Sequence, residues 1–232
     1  EEAERKFGVP PEIITAIIGV ETFYGRNSGS YRVIDSLNTL AFHYPKRAAF
    51  FLSELEHFLL LTREQDFDPE QLEGSYAGAM GMPQFISSSY RNYAIDFDND
   101  NVADIWHNPD DVIGSVANYF FEHGWKNKEP IISKVMIEGD EYKSILDKSL
   151  ELNISKTDLK KYGILTSFDF HDDEKFKLFE FKLENRSEFW LAQKNFYVIT
   201  RYNHSKLYAM AVYQLAQKIK EYKNNKASAK EN

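Results

Sequence analysis

The 232-residue chain contains no cysteine, which excludes a disulfide framework and any cysteine-ligated zinc. It has no apolar run long enough to span a bilayer, and nothing ahead of Glu1 reads as a signal peptide. Six histidines, His43, His57, His107, His123, His171 and His204, form no HExxH or His-x-His pair, so a catalytic transition metal is not expected. No glycine-rich phosphate loop followed by Lys-Ser or Lys-Thr exists, which argues against nucleotide hydrolysis. Ser87-Ser88-Ser89 lacks the Gly-x-Ser-x-Gly frame of a nucleophile elbow and reads as a cap and turn. Positive charge is also short: 28 Lys and Arg against 36 Asp and Glu leave a net charge of -8, so nucleic acid is not an expected partner.

What the chain does have is 43% hydrophobic residues, enough for one sizeable core with a small satellite. Fourteen Tyr and eighteen Phe fill a core or supply flat surfaces suited to a carbohydrate groove. Residues 1–129 read as successive helices. Glu1 to Phe7 is the first. Asp35 or Ser36 caps another through Phe42, Pro45 opens a long one from Lys46 to about Arg63, and Asp110-Asp111 caps Val112 to Glu122. From 130 to 193 strand patterns, clearest in Phe176, Leu178, Phe181 and Leu183, surround short helical pieces at 141–150 and 155–162. Residues 194–222 return to the helical body, and 223–232 read as a frayed tail. The chain opens without Met and inside a helical pattern, so an upstream segment carrying an export signal or lipid anchor is expected.

Pro11 suits the first turn of a helix, and Ile14, Ile17, Ile18 and Glu21 then follow a 3,4 spacing that places them on one face. Glu21 is therefore an acid where packing prefers a hydrophobe. Loss of hydration beside aliphatic surface favours the protonated carboxyl and suits a general acid. The alternative is a carboxylate at the wet end of the helix, near Tyr24 and Gly25. Gly74 to Phe85 is rich in small residues that let another object approach the backbone, either a ligand or a neighbouring helix.

Asp96, Asp98, Asp100 and Asp104 occupy positions 1, 3, 5 and 9 of an EF-hand-like loop, and Val102 can offer its carbonyl at position 7. Asn101 replaces the turn glycine, which it can do by entering the left-handed region. Position 12 is His107 rather than Glu, so a longer loop, 96–111, would close on Asp110 or Asp111. Hard oxygen ligands at this spacing fit a structural calcium or sodium ion, and a lone loop fits stabilisation better than sensing.

Taken together, Gly19-Val20-Glu21-Thr22, Gly25-Arg26, Gly74-Ser75-Tyr76-Ala77-Gly78-Ala79-Met80-Gly81, Gln84-Phe85, Ser88-Ser89-Tyr90 and Asn195 to Ser205 resemble the membrane-bound lytic murein transglycosylase B family. The likeness runs from about Val9 to Ala216 and is weakest between Pro130 and Ser187. It implies a mainly α (α+β) fold: a lysozyme-like helical core, a small mixed α/β subdomain and the cation loop, with ligands Asp96, Asp98, Asp100, Val102 and Asp111. It implies cleavage of peptidoglycan between N-acetylmuramic acid and N-acetylglucosamine by Glu21 alone, without a catalytic cofactor, leaving 1,6-anhydro ends. By the same resemblance Ser75 hydrogen-bonds Glu21 or the sugar, Gln84 holds the sugar, Phe85 lines the groove, and Tyr119, Tyr202, Asn203 and Tyr208 complete its far wall. Lys46-Arg47 either meets the acidic stem peptides or is a solvated helix start. Ile86-Ser87 stands where family members often have Met-Pro. Glycan strands and other cell-wall enzymes are the expected partners, and the periplasm or the outer membrane the expected place. A hydrolytic muramidase, which needs a second carboxylate, and a non-catalytic glycan-binding protein are the rival readings.

Overall fold

The computed structural model describes residues 1–228. The chain forms two compact units, one of residues 1–122 with the chain from Leu215, the other of His123–Gln214. The expected tail is helical as far as Ser228; residues 229–232 lie outside the described residues.

The first unit is built of helices α1 (Glu2–Phe7), α2 (Pro11–Thr22), α3 (Val33–His43), α4 (Ala48–Glu64), α5 (Ser87–Tyr93) and α6 (Pro109–Glu122). In α2, Pro11 sits in the first turn and Ile13, Ile14, Ala16, Ile17 and Ile18 are buried. Each such side chain contributes roughly 1.5–3 kcal/mol by leaving water. Helix α3 starts at Val33, ahead of the expected Asp35 or Ser36 cap. The preceding residues form strand β1 (Tyr31–Arg32), paired antiparallel with β2 (Glu73–Gly74), and the Val33 amide donates to the Leu72 carbonyl. Asp35 instead pairs with Arg32 at 2.7 Å. Pro45–Arg47 is a 3₁₀ turn, so α4 begins at Ala48 rather than Lys46. Helix α6 begins at Pro109, because Asn108 Oδ1 accepts the Asp110 amide at 3.0 Å and takes the capping role expected of Asp110-Asp111. Those acids lie in its first turn, where the helix dipole favours them.

The second unit carries β3 (Ile132–Ile137), β4 (Ile154–Ser155), β5 (Ile164–Leu165), β6 (Lys175–Lys182) and β7 (Ser187–Ala192), all antiparallel in the order β4-β6-β7-β3-β5. The long β6–β7 hairpin pairs Phe179 with Trp190 and Phe181 with Glu188. Phe176 and Leu178 join Val135, Ile154, Leu159, Ile164, Phe170 and Leu191 in a core on one side of the sheet. The helical pieces expected at 141–150 and 155–162 shorten to 3₁₀ turns at Glu141–Ile145 and Lys156–Asp158. Helices α7 (Lys194–Tyr202) and α8 (Lys206–Ser228) follow. Residues 194–214, expected with the helical body, belong to this second unit, and only α8 from Leu215 onward belongs to the first. Among the described residues no helix is long and apolar enough to cross a membrane.

Candidate active site

Glu21 is the penultimate residue of α2 and is half-buried, while Ile14, Ile17 and Ile18 on its face are at most 9% exposed. Both sequence alternatives therefore meet in one place: the carboxyl leaves an apolar face at the point where the helix ends. The ending is abrupt. Phe23 and Tyr24 have φ of 51° and 61°, and their amides donate to the Gly19 and Ile18 carbonyls, a left-handed stop that supplies partners for the last carbonyls.

Across from this stop lies the Gly74–Phe85 segment. A Cβ on Gly74 would lie 2.3 Å from the Ala79 carbonyl oxygen, and one on Gly81 2.5 Å from that of Ile105. The segment is thus folded against backbone where side chains do not fit, which identifies the tight approach the glycines serve. Ser75 Oγ accepts the amides of Ala79 at 3.0 Å and Ala77 at 3.3 Å, which leaves its hydroxyl proton available to donate. Gln84, at φ 54°, gives its Nε2 to the carbonyls of Ser28 and Gly81, each at 3.0 Å. Its Oε1 is the end left to meet a ligand, as an acceptor.

Phe85 is 2% exposed and packs 5.7 Å from the Tyr119 ring, itself 7% exposed and 4.9 Å from that of Tyr93. Phe85, expected to line the groove, has its backbone paired with Met80 and its ring buried against that of Tyr119. Arg47 is exposed, with its guanidinium stacked 4.2 Å over Phe50. Tyr202, Asn203 and Tyr208 belong to the second unit. Asn203 is an exposed, extended residue between α7 and α8, followed by Ser205, whose Oγ caps α8 at the Tyr208 amide.

In the acidic loop, ligand atoms of Asp96, Asp98 and Asp111 converge within 4.8 Å. Asp111 is fully buried and accepts the amides of Phe97 at 2.7 Å and Asp104 at 2.8 Å. Burial pushes its carboxyl above the usual range, with Asp98 and Asp96 adding to the effect. Asp100 stands outside this trio and caps the Val102 amide. Asn101 does enter the left-handed region, at φ 76°. Three convergent carboxylates, one of them dry, fit a hard cation.

The family model for the Transglycosylase SLT domain matches residues 1–217. This chain belongs to the SLT transglycosylase family. It is 45% identical over 217 residues to membrane-bound lytic murein transglycosylase B of Escherichia coli K12, a match that covers 94% of this chain and 59% of that protein. The chain thus spans about three fifths of that relative's length. Among solved SLT transglycosylases, the soluble lytic transglycosylase SltB1 of Pseudomonas aeruginosa superposes with a TM-score of 0.92 at 52% identity, covering 96% of this chain and 74% of that one. The E. coli lytic transglycosylase Slt35, solved in complex with calcium, gives 0.85 at 43% identity over 93% and 68%. P. aeruginosa SltB3 in complex with NAG-anhNAM-pentapeptide gives 0.83 at 33% identity over 94% and 59%. These likenesses place the mainly α, lysozyme-like α+β fold of the family on this chain.

Three residues in or near these segments were not singled out from the sequence. Tyr76, 73% exposed, stands beside Ser75 in the glycine-rich segment, where an aromatic among small residues was the signal. Thr22 and Glu54 are buried polar residues. Glu54 shares a helix face with Phe51, Leu55 and Phe58, the same pattern that singled out Glu21.

Proposed function

We propose that this chain is a peptidoglycan lytic transglycosylase that cleaves the MurNAc-β-1,4-GlcNAc bond with Glu21 as its single catalytic acid. The observation that carries the reading is the position of Glu21, half-buried at the end of an apolar helix whose last residue, Thr22, bonds the Met82 carbonyl of the close-packed Gly74–Phe85 segment. The carbonyl end of α2 is the negative end of its dipole, where the proton-carrying form is favoured. Glu21 gives its proton to the glycosidic oxygen as the bond to the anomeric carbon breaks. Its carboxylate then takes the proton of the muramic acid 6-hydroxyl, whose oxygen bonds to that carbon and closes the 1,6-anhydro ring. The nucleophile is part of the substrate, so no water need be positioned. Ser75 as donor and Gln84 Oε1 as acceptor hold the sugar, with the Tyr76 ring and Arg47 outside them. Tyr119 with Phe85 supports the floor.

The buried acids favour this scheme over a muramidase. Among the described residues, Glu54 and Asp111 are the buried acids of the first unit, and both are spent on backbone amides, so neither is free to activate water. The ligand named in the SltB3 complex carries an anhydro sugar, which supports the same chemistry here. The acidic loop binds a structural calcium or sodium ion through Asp96, Asp98 and Asp111, with Asp100 and the Val102 carbonyl as outer members. The membrane-bound relative supports the periplasm or outer membrane as the place of action, and the relatives solved with peptidoglycan fragments support glycan strands as partner; other cell-wall enzymes are a further proposed partner.

The test is mass spectrometry of muropeptides released from purified peptidoglycan. Products one water lighter than the reducing forms support the reading; reducing ends would replace it with a muramidase.

A further inference from the structure

Thr22 is the last residue of α2 and is 1% exposed. A helical threonine ordinarily returns its hydroxyl to the carbonyl four residues back. Here that distance, to Ile18, is 3.3 Å, and the shorter bond, 2.9 Å, reaches the Met82 carbonyl sixty positions away in sequence. The same oxygen accepts the Gly25 amide at 2.9 Å. One hydroxyl therefore joins the end of the helix, the left-handed stop at Phe23–Gly25 and the turn at Gly81–Gln84.

Both flanks need such a tie. Phe23 and Tyr24 hold a backbone conformation that side-chain-bearing residues disfavour. Met82 is fixed on its other side by the hydrogen bond its amide donates to the Ile105 carbonyl at 2.9 Å, and Gln84 is a further non-glycine residue at positive φ. Glu21 precedes Thr22 directly, in the last turn of a helix, where ends fray. We infer that Thr22 is a positioning residue that holds the Glu21 carboxyl in place against the Gly81–Gln84 turn. This rests on the transglycosylase reading of Glu21, and it extends the machinery to a residue that touches no substrate.

Three variants on a peptide-free glycan oligomer test it. T22V keeps the shape but leaves the Met82 carbonyl and Gly25 amide without the hydroxyl. Its kcat falls at least about tenfold while KM stays within about threefold, the pattern of a misplaced catalytic group. T22S keeps the hydroxyl and restores kcat to within about threefold of the parent. T62V removes another buried threonine hydroxyl, bonded to the Leu59 carbonyl at 3.1 Å in α4, and lowers melting temperature without changing kcat. A T22V kcat equal to that of T62V, or no recovery in T22S, overturns the inference. The 13C shift of the Glu21 carboxyl gives a readout that needs no turnover: it moves in T22V and returns in T22S. If it is the same in all variants the inference falls, whereas reducing ends from the parent enzyme overturn only the transglycosylase reading.

Discussion

Glu54 in α4 accepts two hydrogen bonds from Ser88, one from the backbone amide at 2.8 Å and one from the hydroxyl at 2.7 Å. Helix α5 has no capping side chain of its own next to Ile86, so an acid from another helix satisfies its first turn. The carboxylate also anchors the end of the segment that begins at Gln84.

Replacing Glu54 by Ala strands a buried amide and hydroxyl, and is expected to destabilise the first unit by about 2–3 kcal/mol. Gln keeps one acceptor but loses the charge, and costs about 1 kcal/mol. Urea unfolding of the two variants checks the order; equal midpoints would show that the bonds contribute nothing.

Glu21→Gln removes the transferable proton while keeping size and polarity. Turnover is expected to fall roughly 10²–10⁴-fold with glycan binding retained. Muropeptide release set beside a sedimentation assay on insoluble peptidoglycan separates the two, and undiminished release would exclude Glu21 as the acid.

Lys177 is fully buried in β6 and meets the half-exposed Asp147 at 2.6 Å. The bond from Lys177 holds the Asp147 carboxyl below its usual range. This stabilisation is complete above the ordinary carboxylate pKa and is lost as pH falls through the lower, folded value. Asp147→Asn leaves a buried ammonium without its counter-charge. Because Asp147 is solvent-screened the cost is about 2 kcal/mol, below that of a fully buried pair. Lys177→Met, which removes the charge itself, is expected to be near neutral. Thermal melts at pH 7 and pH 3 check this: the two variants differ at pH 7, and D147N loses less stability than the parent on acidification.

Calcium at about one hundred times its Kd is expected to add about 2.7 kcal/mol and to raise the melting temperature by roughly 5–10 °C. Asp98→Asn should remove most of that response. A melting curve that is the same in calcium and in EDTA would dismiss the site.

The sequence carried the local features well. Pro11 and the isoleucine spacing marked α2, and the alternating acids marked the loop whose Asp96, Asp98 and Asp111 converge. Glu54 was legible by the same face argument as Glu21, since it repeats the pattern of an acid among Phe51, Leu55 and Phe58, but its partner Ser88 lies 34 residues away. Lys177 reads as the polar side of an alternating strand, yet it is buried because β6 is covered on both faces. Helix starts moved for a related reason: Val33 is set by a bond to Leu72 rather than by a capping side chain. The groove-lining role of Phe85 rests on the resemblance alone, and no spacing in the sequence tells that its ring is buried against Tyr119. The division at residue 123 and again at 215 depends on long-range contacts that spacing does not encode.

Gly29, Gly74 and Gly81 each face a peptide group at a distance that excludes a side chain, the closest being the 2.0 Å that would separate a Cβ on Gly29 from the Gly74 carbonyl oxygen. This part of the molecule therefore has an interior edge written in main chain. A side chain introduced at any of these three positions would have to displace main chain rather than a flexible neighbour, so each could be replaced only by breaking the local fold. Sequence change without loss of the fold is therefore confined to the side chains around that edge, Tyr76 among them.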